Sequence, residues 1–254
     1  MSTYAISDIH GCYHEFMKLL DLIGFGDEDE LLILGDVVDR GLGIAECVRW
    51  LVDRKANTAE SNVTFLRGNH EQMAMWAFNG RWSRWTFDMD SRQWWTGNGG
   101  IQTLEQMEER LSKSELDAFQ EIVESAPNII TRTIDDKLMV FTHAGIRAPE
   151  DPSEKDDWFV QTEDDLLWEG RQWYMSCDIP PFHVISGHVP TSVIAAYRGL
   201  SCSAKVKEEG KQNRIMHWRN KHAIDCGCVF DGNLGALRLE DFEGFYVARE
   251  AYLS

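Results

Sequence analysis

The most constraining feature of the sequence is the stretch Gly35-Asp36-Val37-Val38-Asp39-Arg40, which directly follows the aliphatic run Leu31-Leu32-Ile33-Leu34. Four aliphatic residues that end at a glycine are typical of a buried strand that runs into a loop. This loop carries two carboxylates and a guanidinium. Carboxylates near a sheet edge are costly unless a cation or a hydrogen-bond donor satisfies them. One such loop could be an ordinary solvated turn, so its recurrence along the chain decides the matter.

The same arrangement occurs before and after this stretch. A predicted strand at residues 3–7 runs into Asp8-Ile9-His10-Gly11, and another at residues 63–66 runs into Arg67-Gly68-Asn69-His70-Glu71. Apolar residues at helical spacing predict a helix after each of the first two loops. Strand, loop and helix in this order are typical of a parallel sheet, whose ligands bind at the carboxyl ends of the strands. The polar side chains of the three loops are therefore expected to lie together.

Residues 72–126 interrupt this order and are predicted to form an inserted helical cap over the strand ends. The segment contains the tryptophans Trp76, Trp82, Trp85, Trp94 and Trp95. These rings could form the small core of the cap, or one or two of them could line a substrate groove. Because the chain shows no repeats and no clear interdomain linker, we expect one domain over residues 1–254 that includes this insertion.

Two further strands are predicted to end in histidine. Residues 137–142, paired with a strand at 128–133, run into His143, and residues 182–185 run into His188 after a helical stretch at 163–174. In the last third of the chain, short β-like runs predict a second, largely antiparallel sheet packed on the first. These runs cover residues 193–197, 215–218, 222–225, 228–230, 236–239 and 245–248.

The charge of the chain limits its partners. The formal net charge is −17, from 42 acidic residues against 25 lysines and arginines, which argues against broad contact with nucleic acid or an anionic membrane. A phosphate-bearing substrate then needs a local positive site made by a few arginines or by metal ions. We see no signal peptide and no apolar run of membrane-spanning length, so we expect a cytoplasmic protein with reduced thiols. Cys226 and Cys228 could ligate a metal, but we interpret them as alternate residues of one strand over 224–230.

Five of the predicted strand ends carry side chains that suit a metal ion. A single histidine after a strand is usually a structural residue, but polar clusters at five strand ends are better explained by a shared site. Carboxylate, amide and imidazole groups without thiolate suit Mn²⁺, Fe or Zn²⁺ rather than Ca²⁺. The clusters are Asp8 with His10, Asp36 with Asp39, Asn69 with His70, His143, and His188.

These residues resemble a known family, the phosphoprotein-phosphatase branch of the calcineurin-like metallophosphoesterases. Its motifs Asp-x-His, Gly-Asp-x-x-Asp-Arg and Gly-Asn-His-Glu match Asp8-Ile9-His10, Gly35 to Arg40, and Gly68 to Glu71, and its later histidine motifs match His143 and His188. The chain looks most like the small bacterial and phage serine/threonine protein phosphatases, with the symmetrical diadenosine tetraphosphate hydrolases as their nearest relatives. The resemblance implies an α/β fold, a metallophosphatase sandwich of two mixed β-sheets flanked by helices.

The resemblance also implies a role for each matched residue. The cofactors would be two divalent transition-metal ions, for which we expect Mn²⁺, with Fe or Zn²⁺ as alternatives. A hydroxide shared by the ions would attack phosphorus in line, and His70, oriented by Asp39, would act as the general acid. Arg40 and Asn69 would bind the phosphoryl group. The expected ligands are Asp8 and His10 for one ion, Asn69, His143 and His188 for the other, and Asp36 as the bridge between them.

One position departs from the family pattern. The family has a second phosphate-binding arginine two residues after a tryptophan, whereas this chain has Trp168-Glu169-Gly170-Arg171. We carry the role over to Arg171. Arg147, which follows the His143 loop, is the alternative candidate.

The expected function is hydrolysis of phosphomonoesters, with phosphoserine and phosphothreonine in proteins or peptides as substrates. The alternative is hydrolysis of diadenosine tetraphosphate or related nucleotides. A binding module that has lost its metals is a third class, which would have been marked by replacement of Asp36 or His70. Both residues are present, so we expect an enzyme.

Overall fold

Two mixed sheets of five strands each form the centre of the protein. The computed structural model describes residues 1–78, 89–150 and 155–250. The strand order is β10-β9-β1-β2-β3 in one sheet and β4-β5-β6-β8-β7 in the other. The strands are β1 (Thr3–Ile6), β2 (Glu30–Ile33), β3 (Val63–Phe65), β4 (Ile129–Ile134), β5 (Lys137–Thr142), β6 (His183–Ser186), β7 (Met216–Trp218), β8 (Lys221–Ala223), β9 (Asn233–Arg238) and β10 (Gly244–Ala248).

Helices cover the outer faces of both sheets. The first sheet packs on α1, α2 and α6, and the second on α8, α9 and α10. A third apolar cluster lies between the sheets and includes Leu32 and Leu237 of the first and Met139 and Ile185 of the second. The helices are α1 (Tyr13–Ile23), α2 (Ile44–Asp53), α3 (Asn69–Ala77), α4 (Met89–Trp95), α5 (Ile101–Arg110), α6 (Lys113–Ser125), α7 (Glu163–Leu167), α8 (Gly170–Met175), α9 (Thr191–Ala196) and α10 (Ala204–Lys211). The predicted sandwich of two mixed sheets flanked by helices is confirmed.

Parallel pairing places the functional loops at one edge. Strands β1, β2 and β3 run parallel, with Ile6 opposite Ile33 and Ile33 opposite Phe65. In the second sheet β5, β6 and β8 are also parallel. Since the carboxyl ends of parallel strands share an edge, Asp8, Asp36 and Asn69 follow one sheet while His143 and His188 follow the other.

The chain between β3 and β4 is helical where the structure describes it. Helix α3 begins at Asn69, so Asn69 and His70 lie on its first turn. A π-helical turn, Thr96–Gly100, joins α4 to α5, and Ser112 caps α6 by accepting a hydrogen bond from the backbone N–H of Glu115. Trp82 and Trp85 lie outside the described residues. That this insertion acts as a cap over the strand ends stays a prediction.

The last third of the chain differs from the prediction in three ways. Residues 193–197 are not a strand but belong mostly to α9, whose buried residues Thr191, Ile194 and Ala195 are at helical spacing. Residues 228–230 form a 3₁₀ turn, because Gly227 turns the chain with a φ of 70°. Cys226 and Cys228 are therefore not alternate residues of one strand.

The second sheet is also not largely antiparallel. Strands β9 and β10 join the first sheet, where β9 pairs antiparallel with β1. The second sheet combines two parallel pairs with the antiparallel pairs β4–β5 and β7–β8. Alternation of apolar residues predicts a strand but not its partner, and this is why the assignment of these strands was wrong.

Candidate active site

Six of the predicted site residues have a left-handed backbone. A non-glycine residue in the left-handed region costs about 1–2 kcal/mol, and such residues concentrate at functional sites. Tertiary contacts must therefore hold these loops against their local preference. The left-handed residues among those predicted are Asp8 (φ 54°), His10 (44°), Asp36 (56°), Asp39 (71°), Arg40 (70°) and His188 (68°).

Glu71 supplies the contacts that hold the central loop. Its fully buried carboxylate accepts hydrogen bonds from the backbone N–H groups of Asp36 (2.9 Å), Val37 (2.9 Å), Val38 (3.3 Å) and Gly68 (3.0 Å). Burial raises the pKa of Glu71, while the backbone hydrogen bonds act in the opposite direction. The carboxylate thus binds the loops after β2 and β3 to each other.

Asp36 lies between two histidines that come from different sheets. Its Oδ2 is 3.5 Å from Nε2 of His10 and 3.5 Å from Nε2 of His143. Each ring places its Nδ1 2.8 Å from a backbone carbonyl, that of Val38 for His10 and that of Leu34 for His143. Since Nδ1–H donates to a carbonyl, the Nε2 that faces Asp36 carries a lone pair, as a metal ligand requires.

A second group of lone pairs converges around Asn69. Its Oδ1 lies 2.8 Å from Nε2 of His143 and 3.1 Å from Nδ1 of His188, and the two nitrogens are 3.2 Å apart. Ligands that bind one ion at about 2.1 Å lie about 3 Å from each other. With Asp36, these three side chains therefore fit one divalent ion, and His10 with Asp36 fits another. Asp36 belongs to both groups.

Asp8 adds negative charge beside Asp36. Its Oδ2 accepts hydrogen bonds from the backbone N–H of His188, at 2.9 Å, and from the Ser7 hydroxyl. Burial, followed by the charges of Asp8 and Glu71, raises the pKa of Asp36 well above its usual range. Burial and Asp8 do the same for the pKa of Asp225, a carboxylate that the sequence analysis did not identify. Divalent cations would offset this concentration of buried negative charge.

His70 and Asp39 form a buried pair next to these groups. Nδ1 of His70 lies 2.6 Å from Oδ2 of Asp39. The same carboxylate accepts hydrogen bonds from Nε1–H of Trp95, at 2.8 Å, and from the hydroxyl of Thr103, at 2.5 Å. Burial raises the pKa of Asp39 to about 7, against the effect of these two donors. Burial, and then the charge of Arg40, lowers the pKa of His70.

Arg40 lies against the two histidines of this side of the site. Its Nη1 is 2.5 Å from Nε2 of His10, and its Nη2 is 2.7 Å from Nε2 of His70. The guanidinium therefore donates to the lone pairs of both rings. Its backbone N–H donates to the carbonyl of Gly99 at 3.1 Å, so the insertion fixes the arginine as well as Asp39.

The comparison with known families agrees with this geometry. Residues 1–208 match the model of the calcineurin-like phosphoesterases. The chain belongs to this family. Family membership confirms the resemblance, and the family is one of metal-dependent hydrolases of phosphoric esters.

Among curated relatives of this phosphoesterase, the asymmetrical bis(5′-nucleosyl)-tetraphosphatase PrpE of Anoxybacillus flavithermus is 27% identical over 251 residues, covering 94% of this chain and 90% of that protein. The symmetrical bis(5′-nucleosyl)-tetraphosphatase of Methylobacillus flagellatus is 43% identical over 76 residues, which are 30% of this chain and only 26% of that protein.

Solved structures show the same fold at low identity. A putative diadenosine tetraphosphatase has a TM-score of 0.61 at 16% identity, covering 98% of this chain and 94% of its own. A serine/threonine phosphatase from Saccharomyces cerevisiae with similarity to human phosphatase PP5 has a TM-score of 0.54 at 16% identity, covering 100% and 81%. In the part of this phosphoesterase that the structure describes, no helix is both long and apolar enough to cross a membrane.

The two candidates for a second phosphate-binding arginine point elsewhere. The guanidinium of Arg171 lies over the ring of Tyr197, 5.3 Å from its centroid. Arg147 is 60% exposed and its Nε lies 3.7 Å from Oδ1 of Asp165. Within residues 1–78, 89–150 and 155–250, neither makes a hydrogen bond or ion pair with the proposed ligands. The role of Arg171 or Arg147 in this phosphoesterase stays a prediction.

Sequence reasoning missed three residues that hold the site together. Glu71 belongs to a matched motif, but it was given no role. Trp95 and Thr103 lie in the insertion, 56 and 64 positions after Asp39. The available signal in the sequence was the run Gly97-Asn98-Gly99-Gly100 close after Trp95. Its Gly99 and Gly100 approach Arg40 and the Trp95 ring too closely for a side chain.

We expect Glu71→Gln to weaken metal binding by the phosphoesterase about 10–100-fold, as loss of a supporting residue around a metal site usually does. The amide keeps the size of the side chain but replaces one acceptor oxygen by a donor that faces backbone N–H groups. Isothermal titration calorimetry with Mn²⁺ measures the effect. Glu109→Gln, an exposed position on α5, is the matched control. Wild-type affinity in Glu71→Gln would show that the loops keep their positions without this carboxylate.

Proposed function

We propose that the chain is a phosphomonoester hydrolase dependent on two divalent metal ions, with phosphoserine and phosphothreonine in proteins as first candidate substrates. The observation that carries this proposal is the His70–Asp39 pair, 2.6 Å apart, beside Arg40 and the two groups of ligand atoms. When an alkyl phosphate ester is hydrolysed, its alcohol part leaves as an alkoxide, and this leaving group needs a proton in the transition state. A positioned acid contributes about 10²–10⁴-fold to such a step.

The proposed ligands fit the ions by the chemistry of their donor atoms. Carboxylate, amide and imidazole groups without thiolate suit Mn²⁺, with Fe or Zn²⁺ as alternatives. When bound, the ions would polarise the phosphoryl oxygens and make water acidic enough to supply a nucleophile. One ion would be held by Asp8, His10 and Asp36, and the other by Asp36, Asn69, His143 and His188.

The side chains of the protein perform the remaining tasks. When a phosphoryl group is bound, Arg40 would donate two parallel hydrogen bonds to its oxygens in place of those to His10 and His70, a geometry that suits a guanidinium better than an ammonium. Asp39 accepts from Nδ1–H of His70 and so keeps Nε2 directed to the leaving group. A phosphoryl dianion beside the ring favours its protonated form. Asn69 contributes a further polar contact to the phosphoryl group.

A second candidate function is hydrolysis of dinucleoside polyphosphates. The support for it is that the PrpE relative, named as an asymmetrical bis(5′-nucleosyl)-tetraphosphatase, aligns over 94% of this chain. The ligand groups serve both candidates equally, because each requires attack on a phosphorus atom. The leaving group of a polyphosphate is a weaker base than an alkoxide and depends less on His70.

Turnover of a phosphoserine peptide and of diadenosine tetraphosphate by the Mn²⁺-loaded protein tests the proposal. We expect Mn²⁺-dependent release of phosphate from the peptide, abolished by a chelator and restored by added Mn²⁺. Hydrolysis of diadenosine tetraphosphate without any phosphate release from the peptide would favour the second candidate. If neither substrate is hydrolysed with any of Mn²⁺, Fe²⁺ or Zn²⁺, the proposed function is wrong.

The role of His70 is tested by the leaving group. His70→Asn should lower kcat on an alkyl phosphate by about 10²–10⁴-fold. The loss on 4-nitrophenyl phosphate should be much smaller, because nitrophenolate leaves without needing a proton. His14→Asn, a half-exposed histidine of α1, should leave both rates unchanged. Equal losses on the two substrates would assign His70 to phosphate binding or to structure instead.

A further inference from the structure

Three tryptophans lie nearly parallel to each other beside the candidate active site. The ring centroids of Trp94 and Trp168 are 5.2 Å apart, those of Trp76 and Trp94 6.0 Å, and those of Trp76 and Trp168 6.2 Å. The angles between their planes are only 24°, 20° and 6°. We call Trp76, Trp94 and Trp168 the tryptophan surface.

The tryptophan surface is partly open to solvent. Trp76 is 37% exposed and Trp94 is 46% exposed, whereas the neighbouring Trp95 is fully buried. Trp95 packs with Met73, Phe78 and the rest of a small apolar cluster, so the interpretation of the insertion's tryptophans as a core holds for that residue. It does not account for Trp76 and Trp94, whose large rings would stabilise the fold more if they were buried.

Each member of the surface is rigidly connected to a residue of the site. Trp76 lies on α3, about 9 Å along the helix from His70. Trp94 precedes Trp95, which donates to Asp39. The ring of Trp168 meets that of His188 edge to face, with their centroids 6.4 Å apart. A ligand on this surface is therefore adjacent to the groups that would bind its phosphate.

We propose that the tryptophan surface binds the base of a nucleotide by stacking, and that it raises the specificity of this site for substrates that carry a base. The proposal rests on the phosphoric ester hydrolysis proposed above, and it adds nucleotides to the substrates of the same site. Stacking of a base on an aromatic side chain is worth about 1–3 kcal/mol and tolerates different bases.

The chemistry of the surface favours a base over other ligands. Flat, nearly parallel indoles match a flat ring, whereas an aliphatic peptide side chain is held better by a concave pocket. The net charge of −17 opposes a nucleic-acid strand, whose many phosphates would each be repelled. A dinucleoside polyphosphate carries few phosphates, and these would lie at the metal ions and Arg40.

The test compares substrates with and without a base. We measure kcat/KM for diadenosine tetraphosphate and for O-phosphoserine, which has neither a base nor a ring, with the Mn²⁺-loaded wild type, Trp94→Leu and Trp76→Leu. The ratio of the two values should fall about tenfold in each variant, mainly through a higher KM for the dinucleotide. Trp94→Phe, which keeps an aromatic face, should recover most of the ratio. Phe159→Leu removes an aromatic ring of 43% exposure outside the surface and should leave the ratio unchanged.

A binding measurement separates this proposal from the proposed function. Calorimetric titration with adenosine 5′-monophosphate should show binding to the wild type that is weaker in Trp94→Leu, and ribose 5-phosphate should bind equally to both. If the ratio and the binding of adenosine 5′-monophosphate are the same in wild type and Trp94→Leu, the surface does not bind a base. That result would not affect the proposed hydrolysis of phosphate esters. If binding depends on the base but no substrate is hydrolysed, the proposed function is wrong, whereas the proposal that the tryptophan surface binds a base is supported.

Discussion

The carboxylate of Glu71 accepts hydrogen bonds from four backbone N–H groups, those of Asp36, Val37, Val38 and Gly68. These bonds join the loops that follow two neighbouring parallel strands. They hold Asp36 in a left-handed conformation that its backbone disfavours, with its side chain between histidines of both sheets. The position of Asp36, the proposed shared ligand, therefore depends on a residue that is not itself proposed to bind metal.

The charges of the site follow from the same arrangement. Parallel strand ends bring Asp8, Asp36 and Asp225 together in a buried region, where burial raises the pKa values of Asp36 and Asp225. An arrangement of this kind is costly without cations, and the lone pairs of His143, His188 and Asn69 meet at distances that suit one. Ions that bind the proposed site would therefore also favour folding.

Sequence reasoning succeeded where a residue's place follows from its strand. Asp36 and His143 come directly after apolar runs, so their location at the sheet edge could be predicted from period and order. Sequence reasoning failed where a contact joins segments that are far apart in the sequence, because no periodic pattern indicates such a contact. The hydrogen bond between Asp39 and Thr103 is an example. The direction of a long side chain is not encoded locally either, so the role of Arg171, whose guanidinium lies over Tyr197, stays a prediction. Residues 193–197 were wrongly assigned to a strand, because a short apolar run is compatible with a strand and with a helix and periodicity alone does not distinguish them.

The central claim is that Asp36 is shared by two ions, and counting bound ions tests it directly. Calorimetric titration with Mn²⁺ should give two ions per chain for the wild type and at most one for Asp36→Asn, because the amide lacks the charge that offsets repulsion between two dications. Asp136→Asn is the matched control, since Asp136 is also left-handed but lies exposed in the turn between β4 and β5. Two ions bound by Asp36→Asn with wild-type affinity would contradict the account.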